Sequence, residues 1–274
     1  AVQEGVLLGE PAFHVVMSAA AQAGDLALAQ RLRRSMAAAG LAPSARTFTL
    51  LLSTVAKAAK KLPADSNHEE LLKLRAALLE IEDELAASGV KHTSVSFSAL
   101  LKAYEETEQV EAMVSLFEDP PEGVELNVMA YSTVMHALVQ AQQVEEAFNL
   151  KYSMEAKGIA SDIVIYNQLI DACAVSQDVE FALSLMDELQ GRKLEPDIFT
   201  FNSLIKVLVA AGDFATALRL LPGMEELGIT PDDTTFKVLT AAARQQGRDD
   251  VLEELFGRDP RAPTQLQDDD HQQT

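Results

Sequence analysis

The sequence predicts an all-α fold, an α-solenoid in which about seven helix-turn-helix repeats wind into a right-handed superhelix. Three observations predict it. An aromatic residue recurs at Phe13, Phe48, Phe97, Tyr131, Tyr166, Phe201 and Phe236, with gaps of 35, 49, 34, 35, 35 and 35 residues. The stretches behind these aromatics share content: "IYNQLIDACAVSQDVEFALSLMDELQGRKLEPD" aligns without gaps with "TFNSLIKVLVAAGDFATALRLLPGMEELGITPD". Apolar residues inside each unit fall at helical spacing, as at Phe201, Leu204, Ile205 and Leu208. One helical hairpin cannot cover its own apolar faces, but stacked hairpins cover one another. The 274 residues therefore count repeats and not separate domains.

The repeats are 10–44, 45–93, 94–127, 128–162, 163–197, 198–232 and a degenerate 233–267, preceded by a lead-in over 1–9. Periodicity holds over 10–256, and 257–274 reads as a polar, acidic tail. In each repeat the first helix starts near the aromatic. Gly24, Gly212 and Gly247 occupy one repeat position, where glycine can take the left-handed conformation that ends a helix. The second helix carries Leu32, Leu116, Leu150, Leu185, Leu220 and Leu255 at one position. Ala29, Ala147, Ala182 and Ala217 stand three residues earlier, small enough to let paired helices approach closely. A closing Gly, often followed by Pro-Asp, stops the second helix and sets Asp197 or Asp232 to cap the next first helix. The second repeat is 14 residues too long. Pro63 and Asn67 suit a loop between its helices, and its second helix lengthens to roughly 69–88. In the third repeat Pro120 and Pro121 end the second helix early.

Composition narrows the function. Apolar residues make up 48% and charged residues 23%, a balance that builds a packed core. No apolar run is long enough to span a membrane, and no targeting peptide is visible. The single cysteine, Cys173, excludes a disulfide framework and a cysteine-based zinc site, and is read as a small core side chain. His14, His68, His92, His136 and His271 show no zinc spacing. No phosphate loop, dinucleotide fingerprint or nucleophile elbow occurs, and acidic pairs such as Asp249–Asp250 read as solvated helix faces. An enzyme, a cofactor, a metal and a small-molecule substrate are not expected.

The 35-residue period, the "[VI]-x-[TI]-[YF]-N-x-L-I" opening, the "A-x-x-L" of the second helix and the closing "G-I-x-P-D" resemble the pentatricopeptide repeat family. The resemblance covers about 10–256 and is strongest over 128–232. Tetratricopeptide repeats, the nearest rival, carry an early Trp-Leu-Gly, and this chain has no Trp. The resemblance implies a sequence-selective single-stranded RNA-binding adaptor, one base per repeat, acting in organellar RNA processing, stability or translation in a chloroplast or mitochondrion. It implies base reading by the fifth and last residues of each repeat, with the second residue packed on the base. Those residues are Ser98 with Asn127, like an adenine reader; Ser132 with Asp162, like a guanine reader; and Asn167 with Asp197 and Asn202 with Asp232, both like uracil readers. The base-packing residues are Val95, Met129, Val164 and Phe199. The implied target is A-G-U-U, read 5′ to 3′. His14 with Ser44, Thr49 with Thr93, and Lys237 with Gln267 match no such pair. The same Asp residues serve as helix caps whether or not RNA binds.

The net charge of −20 opposes a nucleic-acid partner. Its distribution softens that objection. The first 14 residues of the seven repeats, the expected concave helices, sum to +1, leaving −21 for second helices, loops and tail. Lys102 and Lys206, at the ninth repeat position, are candidate phosphate contacts; His136 and Asp171 hold that position in the repeats between. Affinity for RNA is expected to be moderate to low, with a shallow salt dependence. The acidic second helices suit a basic protein partner. The alternative function is therefore a protein-binding scaffold in a larger organellar assembly, and a third option is a piece of a longer repeat protein.

Overall fold

The computed structural model describes residues 9–63, 68–248 and 251. Asn67, Asp249 and Asp250, Leu255, Phe256, Gln267, His271, residues 1–8 of the lead-in and the 257–274 tail lie outside the described residues. Among those described, thirteen α-helices and no strands are found. Seven are first helices: α1 (Glu10–Ala23), α3 (Ala45–Lys60), α5 (Ser94–Glu106), α7 (Val128–Gln140), α9 (Ile163–Ser176), α11 (Ile198–Ala210) and α13 (Asp233–Gln245). Between them run the second helices α2 (Leu26–Ala38), α4 (His68–Ser88), α6 (Val110–Glu118), α8 (Val144–Ala156), α10 (Val179–Gly191) and α12 (Phe214–Glu226). The chain divides into two compact units, one up to Ser161 and one from Asp162.

In the first unit α1 packs on α3, α3 on α5 and α5 on α7, with each second helix laid on its own first helix. In the second unit α9, α11 and α13 pack in the same succession, with α10 and α12 behind them. All seven recurring aromatics are buried, which is why the period is visible in the sequence. Ala29, Ala147, Ala182 and Ala217 are fully buried, each on a second helix that packs against its own first helix. The leucine row behaves differently. Leu185 is buried, but Leu32, Leu116, Leu150 and Leu220 are only half-buried. The second-helix residues that reach the core are instead Met36, Met154, Leu189 and Met224, two turns beyond the alanines.

Caps punctuate the chain as the sequence requires. Asn127, Asp162, Asp197 and Asp232 each accept the backbone N–H three residues on, at 2.9–3.0 Å. Gly24 ends α1 with φ 68°, and a Cβ there would meet the Ala58 backbone nitrogen at 3.1 Å, so α1 needs glycine for both reasons. The left-handed turn persists where glycine is absent. Glu108, Gln142 and Gln177 occupy the Gly24 and Gly212 position in their repeats and take φ 57°, 62° and 56°. α6 stops at Glu118, ahead of Pro120 and Pro121, and has 9 residues where α8, α10 and α12 have 13. Cys173 is buried, its thiol pushed up to about 12 by burial, and it donates to the Leu169 carbonyl.

Candidate nucleic-acid interface

The second, fifth and ninth residues of a repeat fall at i, i+3 and i+7 on a first helix, and so lie along one face. Val95, Ser98 and Lys102 share such a face on α5; Met129, Ser132 and His136 on α7; Val164, Asn167 and Asp171 on α9; Phe199, Asn202 and Lys206 on α11. Val95, Met129, Val164 and Phe199 are 67%, 66%, 48% and 66% exposed. Four large apolar side chains at one repeat position are thus turned to solvent, whereas the recurring aromatics and alanines are buried.

In the second unit the polar residues are wired identically in two successive repeats. Asn167 Nδ2 donates to Asp197 Oδ1 at 3.0 Å, and its Oδ1 accepts from the Thr200 hydroxyl at 2.6 Å. Asn202 Nδ2 donates to Asp232 Oδ1 at 3.1 Å, and its Oδ1 accepts from the Thr235 hydroxyl at 2.6 Å. The same hydroxyls accept from the backbone N–H of Asp197 and Asp232, both at 3.1 Å. A flipped amide would set its oxygen against the Asp carboxylate, so the network fixes the orientation of both asparagines. Burial pushes the Asp232 carboxyl up, but hydrogen bonds from the Thr235 backbone, the Asn202 amide and the Thr235 hydroxyl outweigh it and hold it below the usual range. In each repeat the Asn–Asp bond uses Oδ1 of the carboxylate and one proton of the amide. A donor and an acceptor therefore sit side by side, beside an exposed apolar side chain.

The first unit varies this wiring. His14 takes the place of the Asn and bonds the Thr47 hydroxyl through Nε2 at 2.9 Å, buried. Ser44 and Thr47 form the matching capping box. Ser98 instead donates to the Ser94 carbonyl at 2.8 Å, and Asn127 caps α7. Ser132 closes the first unit's series and Asp162 opens the second unit.

Both candidate phosphate lysines are already paired. Lys206 donates to Asp171 at 2.8 Å. Lys102 donates to Glu105 at 2.7 Å and lies 3.1 Å from Glu106. Burial works to lower the Lys102 ammonium, but these carboxylates outweigh it and hold it above its ordinary value. His136 Nδ1 bonds Glu105 at 2.6 Å; burial raises that carboxyl, while His136 and Lys102 hold it down. Charge on this face is locally compensated, in keeping with its near-zero sum in the sequence.

Sequence reasoning missed Thr200 and Thr235, both fully buried, which tie the fifth residue of one repeat to the cap of the next. A signal was present. Each is the third residue after its capping Asp, the spacing of a capping box. Among the described residues no group of His, Cys, Asp and Glu can hold a metal ion, and no helix is long and apolar enough to cross a membrane.

Fold and face together define a helical-hairpin repeat protein with an exposed apolar side chain on four first helices and a bonded Asn–Asp pair in two repeats. The model of the pentatricopeptide repeat domain matches residues 115–175 and 149–211, and that of the PPR repeat family matches 196–242. These matches place pentatricopeptide repeats within residues 115–242, somewhat under half of the chain. A mitochondrial pentatricopeptide repeat-containing protein of Arabidopsis thaliana is 36% identical over 73 residues, 26% of this chain and 13% of that protein. The maize pentatricopeptide repeat protein PPR10, solved with an 18-nucleotide psaJ RNA element, superposes with a TM-score of 0.77 at 18% identity, over 93% of this chain and 35% of PPR10. The pentatricopeptide domain of Arabidopsis thaliana protein-only RNase P 1, solved with tRNA, gives a TM-score of 0.55 at 12% identity, over 72% of this chain and 97% of that one. These likenesses identify the fold as that of pentatricopeptide solenoids. The chain spans about a third of PPR10 and far less of the Arabidopsis relative.

Proposed function

We propose that this chain binds single-stranded RNA sequence-selectively, one base per repeat, and acts by holding the strand rather than by turning it over. The observation that carries the reading is the duplicated Asn–Asp–Thr network beside an exposed apolar side chain. An unpaired base can lie between successive apolar side chains, with Val164 and Phe199 packing on its faces. Its edge then meets one N–H from Asn167 or Asn202 and one carboxylate oxygen from Asp197 or Asp232. The N3–H and a neighbouring carbonyl of uracil complement that pair. Ser98 with Asn127 and Ser132 with Asp162 are proposed to read adenine and guanine on the family resemblance. The complexes of PPR10 and RNase P 1 with RNA support the reading, and the mitochondrial relative supports an organellar site of action.

The test is fluorescence anisotropy at a fixed, stated salt concentration, with a short RNA containing A-G-U-U against scrambled and all-cytosine controls. Selective binding to A-G-U-U, weakened by Asn167→Asp with Asn202→Asp, supports the proposal; equal or absent binding overturns it. A second reading is a protein-binding scaffold. It is favoured by the −20 charge and by the pairing of Lys102 and Lys206 with carboxylates.

A further inference from the structure

We infer that the groove between α6 and α8 docks a basic, amphipathic helix of a partner protein. The groove lies wholly in the first unit and holds about 620 Å³. α7 supplies its floor through Val134 and Leu138, and Val114, Phe117 and Leu150 line its walls. Its origin is legible in the chain: α6 has 9 residues against 13 in α8, so the wall it forms is about 6 Å shorter at 1.5 Å per residue.

The rim is acidic. Glu111 and Glu118 stand on α6 and Glu146 on α8, all exposed. Among the described residues the one cation lining the groove is Lys157, its Nζ 5.9 Å from the centre of the Tyr131 ring. An apolar floor between carboxylate rims is the complement of a helix with an apolar stripe and flanking Lys or Arg. The same rims repel an RNA backbone, and a second copy of a chain carrying −20 is a poor occupant.

A second observation lies behind the groove wall, at a buried residue that does not line it. The Tyr131 ring packs edge-on against Phe117 at 4.9 Å, yet its buried hydroxyl has no partner among the described residues. In the neighbouring repeat Tyr166, at the same position, donates to Glu188 at 2.9 Å. The residue at the Glu188 position here is Ser153, which lines the groove. A carboxylate that closes this region in one repeat is missing in the other.

The test uses an 18-residue synthetic helical peptide, with Leu at i, i+3 and i+7 and Lys on both flanks, titrated into the full ¹⁵N-labelled chain. The expected result is amide shifts confined to α6, α7 and α8. Binding should fall roughly tenfold or more in the variant Glu111→Lys, Glu118→Lys, Glu146→Lys, because like charges then line the rim. The control Glu180→Lys, Asp187→Lys, Glu226→Lys, whose exposed acids lie in the second unit, should bind the peptide as the parent does. All six changes are at exposed positions, so folding is retained and is checked by circular dichroism. The inference is overturned if the two triple variants lose affinity alike, if shifts map elsewhere, if a Glu-flanked peptide binds equally, or if nothing binds up to about 1 mM. RNA affinity of the rim variant is read in parallel; it tests the separate RNA proposal and leaves this one to the peptide.

Discussion

Asn167 and Asp197, 30 residues apart, share a 3.0 Å hydrogen bond, and the Thr200 hydroxyl fixes the asparagine from its other side. The pair proposed to face a base is thus oriented before any base arrives. Thr200→Val keeps the shape but leaves Asn167 Oδ1 without its donor, and should destabilise the second unit by about 1–3 kcal/mol. Urea unfolding measures it. Thr200→Ser should restore most of the loss, and an unchanged midpoint for Thr200→Val would remove the bridging role.

Asp232 gives a pH prediction. Its folded carboxyl is held below the ordinary range despite the opposing pull of burial. A depressed carboxyl contributes stability that is present above the unfolded value, about 3.9, and is lost as pH falls through the lower folded value. Asp232→Asn keeps a capping side chain without the titration. It should lose less stability than the parent between roughly pH 5 and pH 2. Parallel acid-unfolding curves for the two proteins would contradict the assignment.

Asp171 holds Lys206 at 2.8 Å and so competes with any phosphate. Asp171→Asn should strengthen RNA binding and steepen the slope of log K against log salt by about 0.7, the share of one added phosphate contact on a single strand. A salt titration of RNA affinity checks it; an unchanged slope would show that Lys206 does not meet the backbone.

Gln177 ends α9 with φ 56°, a conformation that L-residues enter at a cost. Gln177→Gly should stabilise the second unit by about 1 kcal/mol. Thermal unfolding reads it, and a loss of stability would mean that the glutamine side chain contributes more than its backbone strain removes.

Local chemistry explains which parts of the structure could be read from the sequence. Phe201 and Phe236 announce the period because each is buried at the same place in its hairpin. Asp197 and Asp232 announce helix starts because a cap acts within three residues. Thr200 and Thr235 escaped because their second bond reaches a residue 33 positions away, which only hairpin stacking brings near. Gln142 and Gln177 escaped because glycine alone advertises a left-handed turn, whereas the turn itself belongs to the repeat. The neutralised face was partly legible, since Asp171 and Lys206 stand at one repeat position 35 residues apart. Pro222 shows the opposite limit: α12 continues through it, held by burial of Leu221 and Met224.

Asn202 with Asp232 is proposed to read the last base of A-G-U-U, and a single substitution should change which base the pair selects. Asn202→Ser turns this pair into the Ser–Asp combination of Ser132 with Asp162, which the family resemblance assigns to guanine. Affinities of parent and variant for A-G-U-U and A-G-U-G would be measured at the same salt. The parent should prefer U at the last base and the variant should prefer G. An identical ratio of the two affinities in both proteins would contradict it.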